Sequence, residues 1–165
     1  MPPSDLGRGT NRDILPPSSS TVMVFVRDEG SVYNAPVEVV WKFLSSDAQH
    51  SQAHGHRNAV GKELSGNSGE YSWDQDFEGK SERFTMRWTA FPPFGLAYEV
   101  LAGPYIGSRF FVYYRPRGAK TRVTIVGDFV SPSIPPVRLE PSVLAFFARE
   151  FEQDSPVIAT MAATP

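Results

Sequence analysis

The stretch EPSVLAFFAREFEQDSPVIATMAA, residues 140–163, decides the fold. At about 100° per residue, a helix starting near Pro141 gathers Val143, Leu144, Phe146, Phe147, Phe151, Val157, Ile158 and Met161 on one side. Arg149, Glu152, Gln153 and Thr160 fall on the other. Pro156 is expected to kink this helix or end its first part, with a bend near Asp154. Two residues break the apolar stripe: Glu150 and Asp154 lie within about 20° of its centre. An ionised carboxylate there needs a cation, a histidine, a metal or cavity water, and Arg57, Arg109 and the histidines are the candidate partners.

So apolar a helix requires a sheet to cover it. From Thr21, TVMVFVRDEGSVY has the β-branched and aromatic density of a strand. Between Arg57 and Val130 the period is two, interrupted at SGNSG, EGKSE, FPPFG, GPYIGS and RPRGAKT, which predicts six further antiparallel strands. One parity is apolar: Trp73 and Phe77; Phe84, Met86 and Trp88; Leu96, Tyr98 and Val100; Phe111 and Tyr113; Val123, Ile125 and Phe129. The other carries Asp74, Asp76, Arg83, Arg87, Glu99 and Asp128, as a sheet with one wet face should.

Between the first two strands, PVEVVWKFLSS predicts a short amphipathic helix with Pro36 at its first position. A second is expected over DAQHSQAH, capped by Asp47 and ended by Gly55. All three histidines of the chain, His50, His54 and His56, fall at this junction, with Arg57 next. His50 and His54 are one helical turn apart, the spacing that lets two imidazoles share an ion. Three imidazoles are a ligand set for zinc or iron, although HxxxHxH lacks the glutamate of an HExxH motif.

Composition narrows the function classes. A 165-residue chain with 41% hydrophobic and 21% charged residues is expected to form one domain over 21–162, preceded by a disordered Pro/Ser/Gly-rich tail over 1–20. A net charge of −2 argues against nucleic acid as a partner. The absence of cysteine excludes disulfides and thiol nucleophiles and fits a cytoplasmic address. No apolar run is long enough for a membrane span, and no G-x-S-x-G elbow, Walker loop or GxGxxG follows a strand.

The order strand, two short helices, six strands, long helix, with SVYNAPVEVVWKFLSS at its start and YYRPRGAKTRVTIVGDF before the last helix, resembles the START-like helix-grip (SRPBCC) superfamily. That group includes polyketide cyclases and lipid-transport proteins. The resemblance implies an α+β fold in which a seven-stranded curved antiparallel sheet wraps the C-terminal helix around an apolar cavity. It also implies that the short helices bring His50 and His54 toward Asp154. The superfamily has no universal catalytic set, so roles must come from this chain.

The expected ligand-binding wall is Trp73, Phe84, Met86, Trp88, Tyr98, Phe111, Phe147 and Phe151, with Arg109 and Tyr113 reaching a carbonyl or hydroxyl, and with Tyr71 and Gln75 sharing the parity of Trp73. The alternative is that these rings only fill the core. His50, His54, Arg57, Glu150 and Asp154 are the expected catalytic group, acting by general acid–base chemistry, or else a staple that docks the short helices. The leading expectation is cyclisation, dehydration or aromatisation of an apolar polyketide-like or aromatic molecule. Its rivals are a non-catalytic carrier or sensor of hydrophobic ligands, and a metal-dependent enzyme using His50, His54 and His56. No cofactor is expected under the first two readings, and zinc or iron under the third. The partner is a hydrophobic small molecule, with a homodimer as the assembly allowed for.

Overall fold

The computed structural model describes residues 22–164. The expected tail over 1–20 lies outside the described residues. Strand β1 (Met23–Tyr33) leads through Ala35 and Pro36 into helices α1 (Val37–Leu44) and α2 (Asp47–His54). Six strands follow: β2 (Arg57–Ser65), β3 (Ser68–Phe77), β4 (Lys80–Phe91), β5 (Gly95–Ala102), β6 (Arg109–Arg117) and β7 (Lys120–Val130). Helix α3 (Pro136–Ala163) ends the fold. The strands form one antiparallel sheet in the order β1-β7-β6-β5-β4-β3-β2, so β1 closes against β7 and the two edges are β1 and β2. The expected helix-grip architecture is the observed one. No helix is long and apolar enough to cross a membrane among the described residues.

Three local expectations are corrected. Helix α1 starts after Pro36, which is its N-cap rather than its first turn. Ser46, not Asp47, caps α2, its hydroxyl accepting from the Gln49 amide at 3.4 Å. Gly55 does end α2, in the left-handed conformation (φ 60°) that glycine adopts without steric cost. Helix α3 begins five residues before Pro141 and continues through both Pro141 and Pro156, so of the two outcomes expected at Pro156, a kink or an end, the end does not occur. Each proline removes one backbone donor, and hydroxyl groups bond carbonyls of that last stretch, Ser155 to Phe151 and Thr160 to Pro156.

The core lies between the concave sheet face and α3. Leu139, Val143, Phe146, Asp154 and Ile158 are the buried residues of α3, and Glu150 continues the same stripe at four-residue spacing. Opposite them sit Trp73, Phe84, Met86, Leu96, Val100, Val123, Ile125 and Phe129, on the parity read from the sequence.

Strand β6 is the exception. Phe110, Val112 and Tyr114 face the core, while Arg109, Phe111 and Tyr113 face out. The pairing of Phe111 with Ala97 and Val126 fixes that phase, and a one-residue change of phase moves every side chain to the other face.

Candidate functional site

A cavity of about 590 Å³ lies between the sheet and α3, within the usual range for small-molecule sites. Trp73, Met86, Trp88, Tyr98, Phe147 and Phe151 line it as the sequence indicates. Phe110, Val112, Tyr114 and Phe146 complete the wall in place of the outward-facing Arg109, Phe111 and Tyr113. Phe84 does not line it: fully buried, it stands behind Trp73 and Phe146 and stacks on both. Trp88 reaches the cavity across Gly69, where a Cβ would stand 2.7 Å from the indole, closer than atoms approach. Exposed lining residues include Lys62, Glu63 and Ser65 of the β2–β3 hairpin, Ser45 after α1 and Pro92 between β4 and β5, so the cavity opens among these segments.

At one side of this cavity α2 meets α3. His54, buried, points its Nδ1 at Glu150 Oε2 (2.9 Å) and Gln153 Oε1 (2.8 Å), and its Nε2 at Asp154 Oδ1 (2.8 Å). Both Nδ1 contacts are acceptors, so Nδ1 carries a proton and donates. The Nε2–Oδ1 approach is close but misaligned for a hydrogen bond, so its attraction is coulombic. The other carboxylate oxygen, Asp154 Oδ2, accepts from the Tyr33 hydroxyl at 3.1 Å.

The electrostatics follow from these neighbours. Burial alone would push the His54 imidazole down, but Asp154 and Glu150 outweigh it and hold it up at about 10. His56 goes the other way: burial, then the charges of His54 and His50, push it down to about 3, against a weaker opposing contact with Gln75. Burial raises the Tyr33, Tyr98 and Tyr114 phenols well above their ordinary value, and the Asp154 carboxylate adds to this, so they stay protonated donors.

The imidazoles continue into the aromatic wall. His54 stacks on His56 (5.1 Å, 19°), His56 on Trp73 (4.7 Å, 24°), Trp73 on Phe84 (5.3 Å, 13°) and Phe84 on Phe146 (5.9 Å, 15°). His50 stands edge-on to His54 at 4.5 Å and 67°. His56 Nδ1 lies 3.3 Å from the Tyr71 hydroxyl, and Gln75 accepts from the Trp73 indole at 2.6 Å.

The structure thus brings together His50, His54, His56, Glu150 and Asp154. It does not bring Arg57, whose half-exposed guanidinium pairs with Asp76 at 2.7 Å and bonds Ser81, nor Arg109, which pairs with Glu99 at 2.9 Å on the outer face. Arg87 pairs with Glu70 and Glu99, and Asp74 with Arg83, as solvated neighbours on that face. Sequence reasoning missed Tyr33, Tyr114 and Gln153. A register shift in β1 between Asp28 and Ser31 breaks the alternation that would tie Tyr33 to Val26, and Tyr114 shares the parity of Phe110 and Val112, which the sequence had put on the outer face. Gln153 sits on the polar side of the helical projection and reaches His54 by its length.

Superposition on known structures resolves the architecture. The aromatase/cyclase Zhui from Streptomyces sp. R1128 matches with a TM-score of 0.66 at 18% identity, over 86% of this chain and 94% of that one. Ara h 8.0201 matches with a TM-score of 0.65 at 11% identity, over 84% and 99%. This is the START-like helix-grip fold. A protein of unknown function from Staphylococcus aureus, SA2116, matches with a TM-score of 0.68 at 12% identity, over 87% and 98%. No family model and no curated protein matches the sequence. At these identities the helix-grip likeness carries the fold and leaves the chemistry to the residues of the cavity.

Proposed function

We propose that the protein encloses an apolar, ring-forming molecule and promotes its cyclisation, dehydration or aromatisation by proton transfer. The observation that carries this reading is the His54–Glu150–Asp154 group set against a cavity wall rich in aromatic rings. Aromatic walls hold a flexible chain in a folded, reactive conformation. Tyr98 and Tyr114, protonated, offer hydrogen bonds to a carbonyl of the guest. Asp154 or Glu150 would accept the proton lost on enolisation, and the His54 imidazolium between them would return it to a departing hydroxyl. The aromatase/cyclases among the structural neighbours support this class of guest without assigning it.

The test uses a linear poly-β-ketone thioester and its cyclised aromatic product. Both should bind, read from tryptophan emission, and the linear compound should cyclise faster with protein than without. Asp154→Asn should lower turnover by roughly 100-fold or more while binding persists, in line with loss of a general acid–base group. Binding without any acceleration by the native chain would leave a carrier or sensor of hydrophobic ligands and sink the catalytic reading.

A further inference from the structure

His54 Nε2 and Asp154 Oδ1 are both buried, stand 2.8 Å apart, and have no aligned hydrogen-bond partner. The remaining polar atoms of the two side chains are held: Nδ1 by Glu150 and Gln153, Oδ2 by Tyr33. A histidine whose Nδ1–H is held by an oxygen acceptor, here the Gln153 amide oxygen with the Glu150 carboxylate beside it, presents Nε2 as a ligand, the usual support for a metal-bound imidazole. At metal–ligand distances of about 2.0–2.2 Å, neighbouring ligands of one ion stand about 3 Å apart. The Nε2–Oδ1 pair is therefore spaced as two ligands around a common ion.

We propose that His50, His54 and Asp154 bind a divalent transition-metal ion of the iron(II) or zinc class, with Glu150 and Tyr33 orienting the ligands. One donor atom from each of the three lies within 4.8 Å of the others, so small side-chain adjustments close the set. His50 precedes His54 by one turn of α2, and the 67° between their rings lets both in-plane lone pairs point to one place.

His54, His56 and Glu150 form a second cluster of the same compactness. That cluster is the poorer site. The His54 and His56 rings are stacked within 19° of parallel, so their planes converge too slowly to meet within bonding distance of both rings. Rotating His56 would also break its stack on Trp73.

Two imidazoles and a carboxylate, without thiolate, select iron(II) or zinc over magnesium or calcium, which prefer all-oxygen sites. The two carboxylates of this group face no lysine or arginine among the described residues, and a divalent ion balances them with neutral imidazoles. Positions left open would face the cavity. There the ion would act as a Lewis acid on a carbonyl oxygen of the guest. That role rests on the enclosure of a guest set out under the proposed function and would take the place of proton transfer by His54 and Asp154; the binding rests on neither.

The experiment is calorimetric titration of the untagged, chelator-stripped full chain with Zn²⁺, and anaerobically with Fe²⁺, alongside Mg²⁺ and elemental analysis. One equivalent of Zn²⁺ or Fe²⁺ is expected, with no Mg²⁺ uptake. His50→Ala, at a half-buried position, and the near-isosteric Asp154→Asn should each abolish or weaken uptake by at least 100-fold, with circular dichroism verifying that both variants fold. Glu150→Gln should weaken it about 10–100-fold, as loss of an orienting carboxylate does. His56→Ala should bind as the native chain does. Absence of saturable uptake, uptake indifferent to His50→Ala and Asp154→Asn, or uptake lost in His56→Ala but kept in His50→Ala overturns the assignment. No guest is needed, so an ion bound without any turnover would sustain this inference and defeat the proposed function.

Discussion

The Tyr33 hydroxyl donates to Asp154 Oδ2 across 121 residues of sequence, tying the end of β1 to the last third of α3. Tyr33 also stacks on Phe151 at 4.7 Å, so its ring and its hydroxyl do separable work. Tyr33→Phe keeps the stack and strips one bond from a buried carboxylate. The expected loss is about 1.5–3 kcal/mol, the range for hydrogen bonds to charged groups, read from urea unfolding with an unchanged m-value.

Breaking the ion group from the middle should be worse. His54→Ala leaves Glu150 and Asp154 on α3 facing a common void without their positive partner, and removing one member of a buried pair costs about 3–5 kcal/mol. Adding Asp154→Asn to that variant removes one stranded charge and should restore part of the loss. A double variant no more stable than His54→Ala alone would show that the damage is lost packing instead.

Stability should fall at alkaline pH in metal-free protein. His54 has an ordinary value near 6.5 when unfolded and about 10 when folded, because Asp154 and Glu150 outweigh burial; the His50 and His56 rings are its other titratable neighbours. The folded state therefore binds the extra proton, and the sign follows: the contribution is complete below about pH 6.5, declines above it, and is gone once pH passes about 10. Melting temperatures of the native chain and of His54→Gln, followed from pH 6 to above 10, should converge as pH rises.

The two parities of β6 make opposite predictions. Phe110→Ala opens the cavity wall and the contacts with Tyr98 and Phe129, and should weaken guest binding and cost about 3–5 kcal/mol. Phe111→Ala, on the outer face, should leave guest affinity unchanged. Isothermal titration with one hydrophobic probe compares them, and equal losses would contradict the assigned phase.

Gly69→Ala should distort the cavity without removing a polar side chain. The added methyl would meet the Trp88 ring at 2.7 Å and the Lys62 carbonyl at 2.8 Å. The indole must turn toward the cavity, so a shifted Trp88 emission and weaker binding of bulky guests are expected, while small guests bind as before.

The architecture was legible because its elements differ sharply in period: α3 repeats apolar residues by threes and fours, the strands by twos. Strand β6 was not, since residues 110–114 read FFVYY and every position is apolar or aromatic. The mark was at its ends: Arg109, Arg115 and Arg117 share the parity of Phe111 and are exposed. The carboxylates of α3 stood out because Glu150 and Asp154 interrupt an apolar stripe. Their nearest cation did not, because Arg57 and His54 are equally good charges on paper. Only the capped turn at Gly55 decides that the histidine faces α3 while the arginine runs out along β2 to Asp76. Tyr33 belongs to a different end of the chain, and nothing local announces a pairing that the closure of β1 onto β7 creates.

Trp73 sits third in the row of parallel rings that begins at His54, with an imidazole against one face and a phenyl against the other. Its indole is thus an optical gauge built into the wall, sensitive to whatever alters the ring beside it. Occupancy of the polar end can be watched in the unlabelled protein, through light emitted one ring beyond the side chain that meets the event.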